Sequence, residues 1–208
     1  MKIAVINEVS ASLKNPDIIE ALKATTDAEI LNVGMLNPEQ VPSLTYIHTS
    51  YMAAILLGCG CCDLVVGGCG TGQGFLNAVM QFPGIVCGLI TEPLDAWLFS
   101  QINAGNCVSL ALNKGYGWAG NINLRYIFEK LFTDPQGAGY PRERAESQAQ
   151  SRAILAGMSA LTHRDLMTIL KETEPSILKA LAGTEAFMAV LKDGGEKAGL
   201  VYELLQRC

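Results

Sequence analysis

Short runs of apolar residues recur along the first half of the chain, and stretches of mixed polarity separate them. The runs are rich in Ile, Val and Leu and are flanked by Gly, Asn, Asp or Thr. Near-continuous apolar runs of this length are typical of strands buried on both faces of a parallel sheet. They predict five strands, at Lys2–Ile6, Glu29–Val33, Asp63–Gly67, Ile85–Ile90 and Cys107–Leu112.

Helical patterns fill the intervals between these strands. Proline is favoured in the first turn of a helix and glycine just beyond the last, and both signals recur here. Five helices are predicted. The first is capped by Asn15, the second runs from about Ser43 to Leu57, and the third begins in the 72–74 loop. The fourth begins near Glu92-Pro93, and the fifth spans Ala119–Phe132. This β-α alternation predicts a three-layer, doubly wound, Rossmann-like α/β fold with a five-stranded parallel sheet.

The chain changes character after residue 132. Thr133–Tyr140 contains Asp, Pro and Gly residues and predicts a linker or surface loop. Beyond it no strand pattern occurs, and only helix start and stop signals remain. We therefore expect an α/β domain over residues 1–140 and an all-helical C-terminal extension over residues 141–208.

Composition narrows the classes of function. Half of the residues are hydrophobic, and the net charge of -5 argues against a general nucleic-acid binder. The longest apolar run, around Met52 to Leu57, is too short to span a membrane. Seven cysteines in a chain with a full core indicate free thiols, so we expect a cytoplasmic protein. Cys59-Gly60-Cys61-Cys62 has no second ligand pair at a suitable spacing, and no metal site is predicted.

A glycine-rich string follows the third predicted strand at once and leads into a helix. It reads Gly68-Cys69-Gly70-Thr71-Gly72-Gln73-Gly74. In a parallel sheet this places the string at the carboxyl end of a strand, where such folds bind ligands. Glycine lets the backbone approach a ligand closely, and loop N–H groups favour an anion, either a phosphate or the oxyanion of an enediolate. A cysteine beside that positive potential can serve as a base or nucleophile.

The string and several downstream elements resemble the ribose-5-phosphate isomerase B and galactose-6-phosphate isomerase family. The resemblance begins at Met1-Lys2-Ile3-Ala4 and covers about the first 150 residues. It includes Gly68–Gly74, Pro83-Gly84-Ile85, Thr91-Glu92-Pro93, and Gln101-Ile102-Asn103 with Asn106. It implies an aldose–ketose isomerase that needs no cofactor, acts on a small phosphorylated sugar and forms a homodimer or tetramer. The resemblance also implies active sites at the subunit interface.

The resemblance implies a role for individual residues. Cys69 corresponds to the base that moves a proton between C1 and C2, and Thr71 to the hydroxyl that assists ring opening. Gly70, Gly72 and Gly74 correspond to the backbone that binds the enediolate. Tyr46 and Asn103 correspond to ligand contacts, and Arg142 and Arg144 to phosphate-binding arginines that reach across the dimer.

Two positions depart from the family pattern. An Asp-His pair is frequent after the first strand, and here the residues are Glu8-Val9; a frequent histidine before Asn103 is Ile102. These changes alter the shell that faces the substrate while the cysteine loop is intact. We therefore expect a shifted substrate, either another phosphorylated sugar or one that is already open-chain. His48, on the second predicted helix, could replace a lost imidazole, and Glu8 remains a candidate substrate contact.

Two alternatives to an isomerase stay open on the sequence. Glu92 ends the strand after the glycine string, as a ribose-binding acid does in NAD- or nucleotide-binding Rossmann proteins. However, the glycines do not follow the G-x-G-x-x-G spacing, and the string follows the third strand rather than the first. The missing histidines also allow a non-catalytic relative that binds sugar phosphates without turnover.

Overall fold

Five parallel strands form one sheet at the centre of the computed structural model, which describes residues 1–208. Its strand order is β2-β1-β3-β5-β4, so β3 is the central strand. The strands are β1 Lys2–Asn7, β2 Glu29–Asn32, β3 Leu64–Cys69, β4 Cys87–Ile90 and β5 Cys107–Ala111. Val65 and Val66 of β3 and Val108 of β5 are completely buried, which explains the near-continuous apolar runs.

Helices cover both faces of the sheet. The helices are α1 Asn15–Lys23, α2 Tyr46–Gly58, α3 Gln73–Val79, α4 Pro93–Leu98, α5 Gly120–Phe132, α6 Ala145–Thr162, α7 Leu166–Glu172, α8 Pro175–Ala182, α9 Glu185–Lys192 and α10 Glu196–Gln206. One hydrophobic cluster joins the sheet to α2 and α3, and a second joins the opposite face to α1, α4 and α5. The prediction of a three-layer α/β fold with a helical C-terminal region is confirmed.

Two predicted helix starts are displaced in the structure. Asn15 lies inside the first turn of α1, where its side-chain amide exchanges hydrogen bonds of 2.8 and 2.9 Å with that of Asn32. Helix α2 begins at Tyr46, three residues later than predicted, because the backbone N–H of Thr45 donates to Nδ1 of His48 at 3.0 Å and caps the helix there.

The C-terminal helices α7–α10 pack over α2. Leu170, Leu181, Phe187 and Leu191 are completely buried and belong to the same cluster as the apolar residues of α2. Because α2 lies between the sheet and these helices, all its residues from Thr49 to Leu56 except Tyr51 are buried. This explains why α2 is apolar around its whole circumference. No helix in the structure is both long enough and apolar enough to span a membrane.

Candidate active site

Cys69 is the last residue of the central strand, and the glycine-rich loop begins directly after it. The two segments that leave β1 and β3 lead to different sides of the sheet, so a crevice forms between their carboxyl ends. Open α/β sheets bind ligands at such a point. The structure therefore places Cys69, Gly70 and Thr71 where the topology favours a site.

The side chain of Cys69 is almost fully buried, with 7% of its surface exposed. Its Sγ lies 3.9 Å from Oγ1 of Thr71, and that hydroxyl accepts a hydrogen bond of 3.3 Å from the backbone N–H of Gln73. The N–H groups of Gly70 and Thr71 donate to no protein acceptor. A buried thiol and two free amide donors thus share one short turn, and this is the arrangement that an enediolate base requires.

The loop is held in shape by contacts that only glycine allows. Gly72 adopts φ +75°, and a Cβ there would lie 2.5 Å from Cδ1 of Leu89 and 3.1 Å from the carbonyl oxygen of Leu110. Gly68 adopts φ +153°, and a Cβ would lie 2.3 Å from the same carbonyl oxygen. A side chain at either position would push the loop away from β5.

Ser109 on β5 holds the loop in place and is not among the site residues predicted from the sequence. Its side chain is completely buried, and Oγ donates to the carbonyl oxygen of Gly72 at 2.5 Å. The only signal in the sequence is a single polar residue in the apolar run of the fifth strand. Buried hydroxyls are hydrogen-bonded, so such a residue marks a partner that the sequence does not identify.

A second missed group flanks Gly70. The side-chain amide of Asn113, just beyond β5, donates to the carbonyl oxygen of Ser10 at 3.0 Å. The hydroxyl of Ser10 donates to the carboxylate of Glu8, and its backbone N–H donates to the same carboxylate at 3.1 Å. Glu8 is 4% exposed. The predicted residue Glu8 therefore lies at the same edge of the sheet as Cys69, linked to Gly70 through Ser10 and Asn113.

Asn7, at the end of β1, is the buried side chain whose polar atoms have no partner. It is 0% exposed, and neither its amide nitrogen nor its amide oxygen makes a hydrogen bond. An unpaired buried amide costs free energy. Asn7 is paired in the sheet with Gly68, one residue from Cys69, so a water or ligand group at this edge could satisfy it.

Tyr46 and His48 both belong to the first turn of α2. A Cβ on Gly74 would lie 3.3 Å from the ring of Tyr46, so Tyr46 packs directly on the loop. The Nδ1 atom of His48 accepts the capping N–H of Thr45, and burial lowers the pKa of His48 from its ordinary value. The structure thus brings Tyr46 to the loop and uses one ring nitrogen of His48 to cap the helix.

Cys69 lies at the carboxyl ends of the strands. Three predicted site residues lie instead near the amino ends: Asn103, Arg142 and Arg144. Asn103 ends a π-helical turn, Phe99–Asn103, that leads into the amino end of β5. Arg142 and Arg144 belong to an exposed 3-10 turn that follows the loop 133–141. In that loop the backbone N–H of Gly139 donates to the carbonyl oxygen of Gln101 and so ties the loop to the π-helical turn. A strand of five residues rises about 15 Å, so these side chains do not meet Cys69 within one chain.

Cys59, Cys61 and Cys62 lie between α2 and β3, outside the glycine-rich loop. Burial raises the pKa of Cys62 to about 12 and that of Cys59 to about 11, with the neighbouring Cys61 adding to both shifts. These thiols remain neutral. All seven cysteines are free, and no group of three or more His, Cys, Asp or Glu side chains is arranged to hold a metal. Trp118, in the loop after β5, is 95% exposed and is not part of the core of this chain.

The fold and site define an α/β enzyme whose candidate catalytic loop follows the central strand. Residues 3–135 match the Ribose/Galactose Isomerase family. The chain therefore belongs to this family, and it is a sugar isomerase.

Two solved structures at 41% identity align with the whole chain. One is a 4-deoxy-L-threo-5-hexosulose-uronate ketol-isomerase complexed with a tartrate, with a TM-score of 0.95 and 100% of both chains covered. The other is a ribose-5-phosphate isomerase from Vibrio parahaemolyticus, with a TM-score of 0.93, covering 100% of this chain and 98% of that one. A type B ribose 5-phosphate isomerase from Leishmania infantum shares the fold at 19% identity, with a TM-score of 0.61 over 76% of this chain and 96% of that one. No curated protein sequence matches the chain significantly.

Proposed function

We propose that this chain is an aldose–ketose isomerase that needs no cofactor and uses Cys69 as its base. The thiolate of Cys69 removes a proton from the carbon beside the sugar carbonyl, and the electron pair forms the double bond of an enediolate. The carbonyl oxygen then carries negative charge. The sulfur then returns the proton to the former carbonyl carbon. The proton of the adjacent hydroxyl moves to the oxyanion, and the carbon that first lost its proton becomes the new carbonyl.

One observation carries the proposal: the Cys69 thiol lies beside the unpaired N–H groups of Gly70 and Thr71. Amide donors that are already oriented stabilise an oxyanion without reorganisation, and such groups are worth roughly 10²–10³ in rate. Thr71 Oγ1, 3.9 Å from the sulfur, can exchange a proton with a substrate oxygen. The NAD-binding alternative fits the topology less well. In a Rossmann dinucleotide site the glycine-rich turn follows the first strand, whereas here it follows β3, the central strand.

Substitution of Cys69 tests the mechanism. Cys69→Ser and Cys69→Ala should keep the fold and lower turnover by at least about 10³-fold, since the base is lost. Cys62→Ser is the matched control, because Cys62 is buried to a similar extent, 6% against 7% exposed, and lies outside the loop. Near-normal turnover in either Cys69 variant, with Cys62→Ser also active, would remove the assignment of Cys69 as the base.

The substrate is a small anionic sugar, and two classes are supported. The family resemblance and the Vibrio parahaemolyticus relative favour a sugar phosphate of the ribose-5-phosphate or galactose-6-phosphate type. The uronate ketol-isomerase, at the same identity, favours an open-chain sugar acid. Val9 and Ile102, which replace imidazoles of the family pattern, agree with a substrate that needs no ring opening.

A substrate panel separates the two classes. The purified chain is assayed by proton NMR with ribose 5-phosphate, galactose 6-phosphate and 4-deoxy-L-threo-5-hexosulose uronate. We expect kcat/KM for one class to exceed that for the other by at least about 10²-fold, because a site built for one anion leaves polar groups unpaired with the other. Binding without conversion across the panel would favour a non-catalytic relative.

We further propose that a homodimer completes the site. Asn103, Arg142 and Arg144 can act on a substrate at Cys69 only if a second copy presents them there, because they lie at the other edge of their own sheet. Mixing the inactive variants Cys69→Ser and Arg144→Ala tests this. Random pairing makes about half of the dimers mixed, each with one intact site, so about one quarter of wild-type turnover should return. No recovery after exchange of subunits would place every site residue on one chain.

The cellular setting follows from the thiols. Seven free cysteines, four of them buried, persist in a reducing compartment. We propose a cytoplasmic location on this basis. Fractionation of cells that produce the tagged chain would test it, and recovery outside the cytoplasm would contradict it.

A further inference from the structure

Cys87 and Cys107 face each other on neighbouring strands of the sheet. They are direct partners in the register of β4 and β5. Cys107 belongs to the hydrophobic cluster that joins the sheet to α2 and α3, and Cys87 packs against the same cluster, so both side chains lie on one face. Two thiols are thus held side by side, and the proposed isomerase reaction uses neither of them.

The spacing of the two strands suits a disulfide. Neighbouring strands lie about 4.8 Å apart, and disulfides form where the two Cα atoms are roughly 4.4–6.8 Å apart. The ladder between β4 and β5 runs from Cys87 and Cys107 to Ile90 and Leu110, so backbone hydrogen bonds keep the two Cα atoms in place. The two sulfur atoms can therefore meet without rearrangement of a loop.

Solvent reaches the two thiols unequally. β4 is an edge strand, and Cys87 is partly exposed on it, whereas Cys107 is completely buried. Burial raises the pKa of the Cys107 thiol well above its ordinary value, and the neighbouring Cys87 adds to the shift, so Cys107 stays neutral. An oxidant that enters from solvent meets Cys87 first, and Cys107 is positioned to react with the product.

We propose that Cys87 and Cys107 form a reversible disulfide when the protein meets a peroxide. Cys87 is the residue that the oxidant modifies, and Cys107 is the residue that converts the product to a disulfide. Disulfides that form in a reducing compartment are transient in this way, so the pair is compatible with a cytoplasmic location.

The reaction has two steps. The thiolate of Cys87 attacks one oxygen of hydrogen peroxide, the O–O bond breaks, and the other oxygen leaves as hydroxide, which takes up a proton to form water. Cys87 is then a sulfenic acid. The sulfur of Cys107 attacks the sulfur of Cys87, the S–O bond breaks, and the departing hydroxide takes the proton of Cys107. Two thiols have lost two electrons, and the peroxide has become two waters; a dithiol reverses the oxidation.

Leu89 connects this pair to the glycine-rich loop. It lies two residues beyond Cys87 on the same face of β4, and a Cβ on Gly72 would lie 2.5 Å from its Cδ1. The Cβ atoms of a disulfide are about 3.8 Å apart, closer than neighbouring strands lie, so the bond draws β4 toward β5 at Cys87. Because the interior is close-packed, the shift reaches Leu89 and Gly72. The disulfide should therefore slow turnover, and this step alone rests on the proposed function.

Peptide mapping tests the disulfide without an assay of activity. The reduced protein is exposed to a small molar excess of hydrogen peroxide, its remaining thiols are blocked under denaturing conditions, and its peptides are identified by mass spectrometry. We expect one cross-linked pair, Cys87 with Cys107, that disappears after treatment with dithiothreitol. Cys62→Ala is the matched control, since Cys62 is a buried thiol of the same cluster outside the strands, and it should form the same link as the wild type. In Cys107→Ala, Cys87 should instead stop at a sulfenic acid that a selective reagent traps.

Turnover is measured after the same treatment. The oxidised wild type should lose about tenfold in kcat, because the amide donors of the loop are misplaced, and should recover after dithiothreitol. Cys87→Ala should keep its kcat at peroxide concentrations that inhibit the wild type. Circular dichroism confirms that every variant is folded.

The outcomes separate this proposal from the proposed function. A link between Cys87 and Cys107 in a protein that converts no sugar would support the thiol pair alone. Oxidation that joins other cysteines, or that leaves Cys87 and Cys107 as thiols, would overturn the pair. A complete link with unchanged kcat would overturn its connection to the loop, as would equal inhibition of Cys87→Ala, which would indicate oxidation of Cys69 itself.

Discussion

Replacing Ser109 by alanine isolates one contact that holds the glycine loop. The hydroxyl of Ser109 is completely buried and donates to the carbonyl oxygen of Gly72 at 2.5 Å. The same carbonyl also accepts the N–H of Leu76 at 3.1 Å, so the substitution leaves it with one partner rather than none. The change therefore removes a single buried hydrogen bond from the loop that carries Gly70 and Thr71.

The expected loss of stability is modest, and the expected loss of activity is larger. A buried hydrogen bond contributes about 1 kcal/mol net when the acceptor keeps a second partner. For a chain of this size that lowers Tm by roughly 2–4 °C. Relaxed placement of the amide donors should lower kcat by about tenfold, with a smaller change in KM, because those donors act on charge that develops only in the transition state.

The assay compares thermal unfolding and steady-state kinetics of Ser109→Ala with those of Thr184→Val. Thr184 is 2% exposed, and its hydroxyl donates to the carbonyl oxygen of Ala180 at 3.0 Å, far from the loop. Both variants should lose similar stability, but only Ser109→Ala should lose kcat. If the two have equal kcat at equal Tm, Ser109 has only a structural role and our account of the loop is wrong.

Three further predictions concern the stability of the fold. Burial lowers the pKa of His48 below 6.5, so the unfolded state binds more protons, and the free energy of unfolding should fall as the pH drops through about 6.5. His48→Gln removes this titration and keeps an acceptor for the N–H of Thr45. In urea denaturation, the free energy of unfolding of this variant should therefore change less than that of the wild type between about pH 7 and 5. Gly72→Ala should cost at least about 1–2 kcal/mol from its φ of +75° alone, with further loss from the contact with Leu89, as measured by the urea midpoint. Deleting the residues after His163 should yield an aggregated chain in size-exclusion chromatography, since it uncovers the apolar outer face of α2; a monodisperse, folded product would contradict the shared core.

Local patterns were sufficient to predict the strands, most helices and the position of the glycine-rich loop. The apolar runs at β1, β3 and β5 and the glycines after Cys69 act over a few residues, through side-chain burial and backbone freedom. The start of α2 was less predictable, because it depends on His48 accepting a capping hydrogen bond, and histidine is an uncommon partner there.

The contacts around the loop could not be predicted, because each joins residues far apart in the chain. Ser109 meets Gly72 across 37 positions, and Asn113 meets Ser10 across 103. Both depend on the strand order β2-β1-β3-β5-β4, which brings β5 beside β3. A residue type in a sequence shows that a polar partner is needed, but only the pairing of strands decides which one it is.

The sequence by itself determined a parallel α/β sheet, a cysteine at the end of its third strand and a helical C-terminal region, because these follow from short-range polarity and from glycine. Only the tertiary structure decided that β3 is central, that α7–α10 close over α2, and that Asn103 and the two arginines lie at the far edge from Cys69. The reason is that strand direction and packing between distant segments decide whether a loop lies at the amino or the carboxyl ends of the strands. Neither can be inferred from a short segment of sequence.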